Sequence, residues 1–185
     1  MSPGGHLVTT VAACSVAAAV TGSWPLTAGI AVGGFLIDVD HAVDYVLFER
    51  QRNLRPGAFL RYYISGRVQR VVLALHSYEL FALLGGVAWW SESALLIGYL
   101  AGGLMHLALD IMFNGELTPH SIAAFYSFSY RLAHGFRASS LLGAVPLRPP
   151  AANFWRAFFE GTTVDRGTGR RRIMLDFRRH ARPGR

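Results

Sequence analysis

Four apolar runs fill the first two thirds of the chain, and polar or turn-forming breaks separate them. The first run is Leu7 to Trp24, closed by Thr21-Gly22-Ser23-Trp24-Pro25, a turn signal. The second, Leu26 to Phe48, is interrupted only by Asp38, Asp40, His41 and Asp44. A polar stretch follows from Glu49 to Arg70. The third run is Val71 to Trp90, and after Ser91-Glu92-Ser93 the fourth runs from Ala94 to Phe113. Each is close to the roughly 20 residues that cross a hydrocarbon core of about 30 Å. Beyond Pro119 the segment Ser121 to Phe136 is aromatic, which predicts a helix lying in the interface. A proline-rich linker covers residues 144–152, and Phe154 to Phe159 reads as a short interfacial anchor ahead of an arginine-rich end. The pattern predicts an all-α, polytopic membrane helical bundle of about four transmembrane helices in two hairpins plus an interfacial helix. Residues 1–136 would form the bundle and residues 137–185 a basic cytoplasmic tail with the anchor.

Composition supports a mixed apolar and polar design. The 185 residues are 52% hydrophobic, and the mean hydropathy is +0.31. One cysteine, Cys14, excludes an internal disulfide and any cysteine-rich zinc motif. All 18 basic residues are arginine, and the net charge is +7. Arginines crowd the 49–70 loop and the chain after residue 130, and the two hairpin tips have none. Positive loops stay cytoplasmic, so both termini and the middle loop are expected inside and the tips outside. Trp24, Trp89 and Trp90 at the tips suit an outer aromatic belt. No Lys or Arg precedes the first run, so it is expected to be a retained span and not a cleaved signal. The basic tail is expected to lie near anionic lipid. No stacking platform accompanies it, and no nucleic-acid partner is expected.

The chemistry lies in the ionisable residues within the apolar runs: His6; Asp38, Asp40, His41 and Asp44; His76 and Glu79; His106 and Asp110. Folding the second hairpin about its break sets His76 level with Asp110 and Glu79 level with His106. Folding the first sets His6 level with Asp40 or His41. His106 and Asp110, one helical turn apart, share a face, and such a pair in apolar surroundings needs a partner. Helices that present carboxylates and histidines to one another are a known way to build a metal site. Imidazole with carboxylate suits zinc, manganese or iron, whereas magnesium prefers oxygen alone. We expect Asp38, His76, His106 and Asp110 as ligands, with His41, His6 and Asp40 as further ligands or their supports. Glu79 is the expected general base, and Asp40 is the other catalytic candidate. Asp44 is expected to be solvated, His120 to sit at a helix entry, and His134 and His180 at the surface. Arg67 or Arg70 could hold a phosphate. Each pair also has a structural reading as a hydrogen-bonded clasp between helices.

Asp38-Val39-Asp40-His41 after an apolar helix, His76-Ser77 opening another, and His106-Leu-Ala-Leu-Asp110 ahead of Gly115 and Pro119 resemble the bacterial inner-membrane metal-dependent hydrolase family. The resemblance covers roughly residues 5 to 130. Ile37 stands where that family usually has proline, and Leu75 where threonine is common. What the resemblance implies is a multi-pass protein of the bacterial inner membrane carrying a divalent metal, zinc or manganese. The expected activity is hydrolysis of a lipid or phosphoester near the cytoplasmic face, with membrane lipid as the surrounding partner. Two readings from other classes compete with it. Intramembrane acids and histidines also build ion paths in transporters, although here the outer halves of the runs are apolar. A non-enzymatic membrane partner would use the cluster only to fix helix packing.

Overall fold

A computed structural model describes residues 1–114, 121–143 and 153–161. These residues are helical and irregular, and the one ladder contact among them is an isolated bridge between Arg70 and Arg137. Helix α1 (Pro3–Thr21) is capped by the Ser2 hydroxyl and stopped by Gly22 in the left-handed conformation. Helix α2 (Trp24–Gly34) starts at a Ser23 cap with proline in its first turn. At Phe35 the backbone leaves helical geometry. A 3-10 turn (Leu36–Asp38), the short helix α3 (Val39–Val43) and a π turn (Asp44–Phe48) follow. Helix α4 (Pro56–Ile64) lies in the arginine-rich loop. Helix α5 (Tyr78–Ser91) and helix α6 (Ala94–Asn114) form the second hairpin. Four short helices complete the described chain: α7 (Ile122–Phe125), α8 (Phe128–Ala133), α9 (Ala138–Leu142) and α10 (Phe154–Glu160).

Two helices, α1 and α6, are long and apolar enough to cross a membrane, and a third span results only if α2 and the stretch 36–48, bent by 45°, count as one. Four unbroken spans are therefore not seen among the described residues. The second run breaks at Phe35, just after the helix-weakening pair Gly33-Gly34. The third run turns helical only at Tyr78, so α5 has 14 residues, about 21 Å against the roughly 30 Å needed. Residues 71–77 stay irregular because charged side chains take their backbone groups. Asp44 accepts from the N–H groups of Val72 and Leu73, and Asp40 accepts from that of Leu75. The outward faces still suit lipid: Val8, Val11, Val16 and Val20 of α1 are exposed, as are Trp24, Trp89 and Trp90 at the tips.

The principal helix pair is α2 with α6. Its contact is backbone on backbone. A methyl group added at Gly29 or Gly33 would overlap the backbone of α6, and one added at Gly98 or Gly102 would overlap the backbone of α2. Small residues at such crossings let helices approach closely where lipid removes the hydrophobic incentive to associate. A second core lies beyond the site, where Val71 and Leu73 meet Phe81, Leu107, Phe125 and Leu141. Helix α9 belongs to it through Ala138 and Leu141, so packing continues past the boundary expected at residue 136. Helix α10 docks on α1 and α4 while Trp155 and Phe159 stay exposed. The arginine-rich end and His180 lie outside the described residues, as does His120.

Gly102→Val should force α2 and α6 apart and cost about 1–3 kcal/mol by overpacking. Gly85→Ala, where an added methyl meets open space, should be neutral or slightly stabilising. Thermal unfolding of both variants in detergent, followed by circular dichroism, checks the contrast.

Candidate metal centre

Five segments bring their ionisable residues to one place. Helix α1 supplies His6, the 3-10 turn Asp38, and α3 Asp40 and His41; the turn before α5 brings His76, and α6 brings His106 and Asp110. His6, His76 and His106 are buried, as are Asp40 and Asp110. Asp38 is the most open, with 32% of its side chain exposed.

The hydrogen bonds define the tautomers. His76 Nδ1 lies 2.9 Å from Asp40 Oδ2, and His106 Nδ1 lies 2.9 Å from the Gly34 carbonyl. Both partners only accept, so both Nδ1 atoms carry a proton, and in their neutral form the two rings present Nε2 lone pairs to the centre of the cluster. Those two Nε2 atoms are 3.2 Å apart. Asp38 Oδ1 lies 3.4 Å from each of them. Three acceptor atoms thus form a nearly equilateral triangle. Ligands at the 2.0–2.1 Å bond lengths of a tetrahedral zinc site are spaced roughly 3.3–3.4 Å from one another, so the triangle has the dimensions of one face of such a site. Lone pairs this close repel unless a proton or a metal cation lies among them. The carboxylate–imidazole contact behind His76 and the carbonyl contact behind His106 are also the outer supports that metal-ligating histidines ordinarily have.

Asp110 stands beside this triangle. Its Oδ2 is 3.5 Å from His106 Nε2 and accepts from the Tyr126 hydroxyl at 3.2 Å. Its Oδ1 is 2.9 Å from His6 Nε2 and also accepts from the Asn114 amide. The His6 ring stacks on the His106 ring with centroids 3.6 Å apart, and its Nδ1 is buried without a partner among the described residues. His41 is half-buried at the rim, its Nδ1 3.1 Å from Asp40 Oδ1 and 3.5 Å from Asp38 Oδ1.

The helix break at Phe35 matters here. On a continuous helix Asp38 and Asp40 would point nearly opposite ways. Here both reach His76, one at Nε2 and the other at Nδ1.

Two expectations need correction. Glu79 does not join the cluster. Its carboxylate accepts from the Ser127 hydroxyl and from the N–H groups of Phe128 and Ser129, so it caps the start of α8. Position in the first turn of α5, with the side chain directed at a neighbouring helix end, takes it away from His106. Asp44 is not solvated: it is 2% exposed and holds two backbone N–H groups of the 71–77 run. Its spacing of four from Asp40, on the same face of a turn, was the available signal.

Sequence reasoning missed three further residues. Tyr126 contacts Asp110, Tyr63 donates to the His41 carbonyl at 2.7 Å, and Arg131 is completely buried. A cavity of about 230 Å³ adjoins the cluster. Its lining combines the polar His41, His76, Asp110 and Asn114 with the apolar Ile64, Val68, Ile122 and Phe125, and Arg70 lines it as well. Arg67 does not line it.

Glu79→Ala should cost about 1 kcal/mol, as the loss of a helix cap does, and leave the cluster's metal affinity unchanged. Asp44→Ala strands two buried N–H groups and should cost about 2–5 kcal/mol. Unfolding midpoints and metal titrations of the two variants together test these assignments. Comparisons of the chain with protein-family models, with curated proteins and with solved structures return no match, so its function is argued from the geometry of the site.

Proposed function

We propose that the chain is a multi-pass membrane hydrolase of the bacterial inner membrane, with a metal ion held by Asp38, His76 and His106 and Asp110 beside them. The observation that carries the reading is the triangle of inward-facing acceptors, 3.2 to 3.4 Å on a side. Three protein donors with a remaining position open is the arrangement of catalytic zinc sites, whereas structural sites close all four. When bound, zinc or manganese would acidify a coordinated water to near neutrality and polarise a carbonyl or phosphoryl oxygen.

The chain's own residues have distinct tasks in this reading. Asp40 holds the proton of His76 at Nδ1 and so keeps Nε2 free, as the Gly34 carbonyl does for His106. His6 and Tyr126 fix the two oxygens of Asp110. His41, half-buried on the cavity wall with Asp40 behind it, is the residue to which we assign proton transfer, the role that Glu79 is too far engaged to fill.

The substrate reading comes from the cavity. Its lining mixes polar residues of the cluster with apolar side chains, which fits an amphiphile. Arg70 suits an anionic group such as a phosphoester. The same end of the bundle carries the 49–70 arginines, and the exposed Trp24, Trp89 and Trp90 lie at the hairpin tips. We therefore place the site at the cytoplasmic headgroup level, with both termini inside. In this arrangement α1 and α6 cross the bilayer, and the bent 24–48 segment and α5 with its irregular entry complete a four-element bundle. Irregular backbone at membrane depth is tolerated where it is buried in protein or lines a cavity, as here.

Detergent-purified protein should retain about one equivalent of transition metal, and His76→Ala and Asp38→Asn should each lose it while keeping their helix content. Elemental analysis with circular dichroism checks this. Phosphomonoesters, phosphodiesters and phospholipids would then be screened with the zinc- and manganese-loaded protein. A protein that takes up no metal from either solution, with both variants folded, sinks the hydrolase reading.

A further inference from the structure

The turn that carries His76 is irregular, its two ends Leu73 and His76 are buried, and one charged side chain holds both of them. The turn closes on itself by the His76 N–H donating to the Leu73 carbonyl at 3.0 Å. Leu73 has φ +44°, a left-handed conformation unusual for a leucine, so something outside the turn must maintain it. The N–H groups are held by carboxylates: Val72 and Leu73 by Asp44, Leu75 by Asp40. The carbonyls are held by Arg131 of α8. Its Nη2 donates to the Leu73 carbonyl at 2.9 Å, and its Nη1 donates to the His76 carbonyl at 3.0 Å and to the Phe125 carbonyl at 2.8 Å. Its guanidinium carbon stands 5.7 Å from the centre of the Phe125 ring.

Arg131 is 0% exposed and has no ion pair among the described residues. Burying a guanidinium is costly, and a chain needing only a packed helix would place an apolar residue there. What an apolar residue cannot do is grip the first and last carbonyls of one turn at once. The planar fork of arginine suits that task, and the compact ammonium of lysine does not. We infer that Arg131 is the positioning residue of His76: by bracketing the Leu73–His76 turn it sets where the imidazole stands relative to Asp38 and His106. Arg131 touches neither the cluster's donor atoms nor the cavity; it acts through the turn.

The inference rests on the metal reading for its main readout, and the test separates the two. Cobalt(II) is titrated into the full chain in detergent, and affinity and visible absorption bands are recorded for wild type, Arg131→Lys and Arg131→Gln, with helix content as the fold check. Folded variants with affinity lowered about tenfold to a hundredfold, the usual effect of removing an outer support of a metal ligand, and with shifted bands support the inference. Lysine should fail to restore the wild-type bands even though it restores the charge. Wild-type affinity and bands in the folded variants overturn it and leave the metal reading intact. If glutamine prevents folding, the lysine variant decides alone, and if neither variant folds, Arg131 serves folding only and the inference falls. If wild type takes up no cobalt, the metal reading fails. The ¹⁵N resonances of the His76 ring, identified by their loss in His76→Asn, then decide: displacement in Arg131→Lys supports positioning, and unchanged resonances overturn it.

Discussion

The backbone contact between α2 and α6 is the constraint on which the rest of the structure depends. Glycines at 29, 33, 98 and 102 bring the two helices together without side chains between them. At that separation the last carbonyl of α2, from Gly34, accepts the Nδ1 proton of His106. That single bond orients the His106 ring and turns its Nε2 into the cluster. The bond is available because α2 ends there: the turn after Gly34 frees the chain to swing Asp38 and Asp40 around His76. Close approach, helix ending and the aiming of the cluster's side chains are therefore one event. Bulk at the glycines would act on the chemistry through His106 and not only on stability.

A second constraint explains the charged residues with no ligand role. Backbone groups that leave helical geometry in an apolar setting must find partners. The chain meets that demand with ionised side chains, which make stronger hydrogen bonds than neutral ones. Asp44 and Asp40 take N–H groups of the 71–77 run, Arg131 takes its carbonyls, and Glu49 takes the N–H groups of Gln69 and Arg70 just before it. Asp40 does both jobs, with one oxygen on the Leu75 N–H and the His76 ring, and the other on His41. Its double use binds the irregular segment to the site, so the fold of this part and the geometry of the cluster stand together.

These facts also explain what the sequence could and could not disclose. Apolar runs, hairpin breaks and the shared level of His6, Asp40, His76, His106 and Asp110 were readable from spacing, because helix rise and antiparallel packing convert sequence number directly into height. The breaks inside the runs were not. Residues 71–77 are as apolar as a span, and what unwinds them is a set of long-range bonds from Asp40, Asp44 and Arg131 that local pattern does not encode. The same blindness made Glu79 look like a site residue: level alone put it beside His106, but direction around the helix sent it to α8. Arg131 read as the polar end of an aromatic helix, and only tertiary structure reveals three carbonyls around it.

The cluster carries a specific electrostatic tension. Asp38, Asp40 and Asp110 crowd around His76 and His106, and the two bare imidazole nitrogens face each other at 3.2 Å. A structural clasp would avoid this, since pairing each imidazole N–H with one carboxylate oxygen satisfies both partners without bringing lone pairs together. Here the donors of His76 and His106 are spent outward, on Asp40 and on Gly34, and the acceptors are turned inward. Protons on the Nε2 atoms, donated to Asp38 Oδ1 and Asp110 Oδ2, would relieve these contacts pair by pair. A divalent ion relieves all three at once, and its charge offsets the buried carboxylates around it. The direction of the hydrogen bonds, more than the inventory of histidines and aspartates, is therefore what the metal proposal rests on.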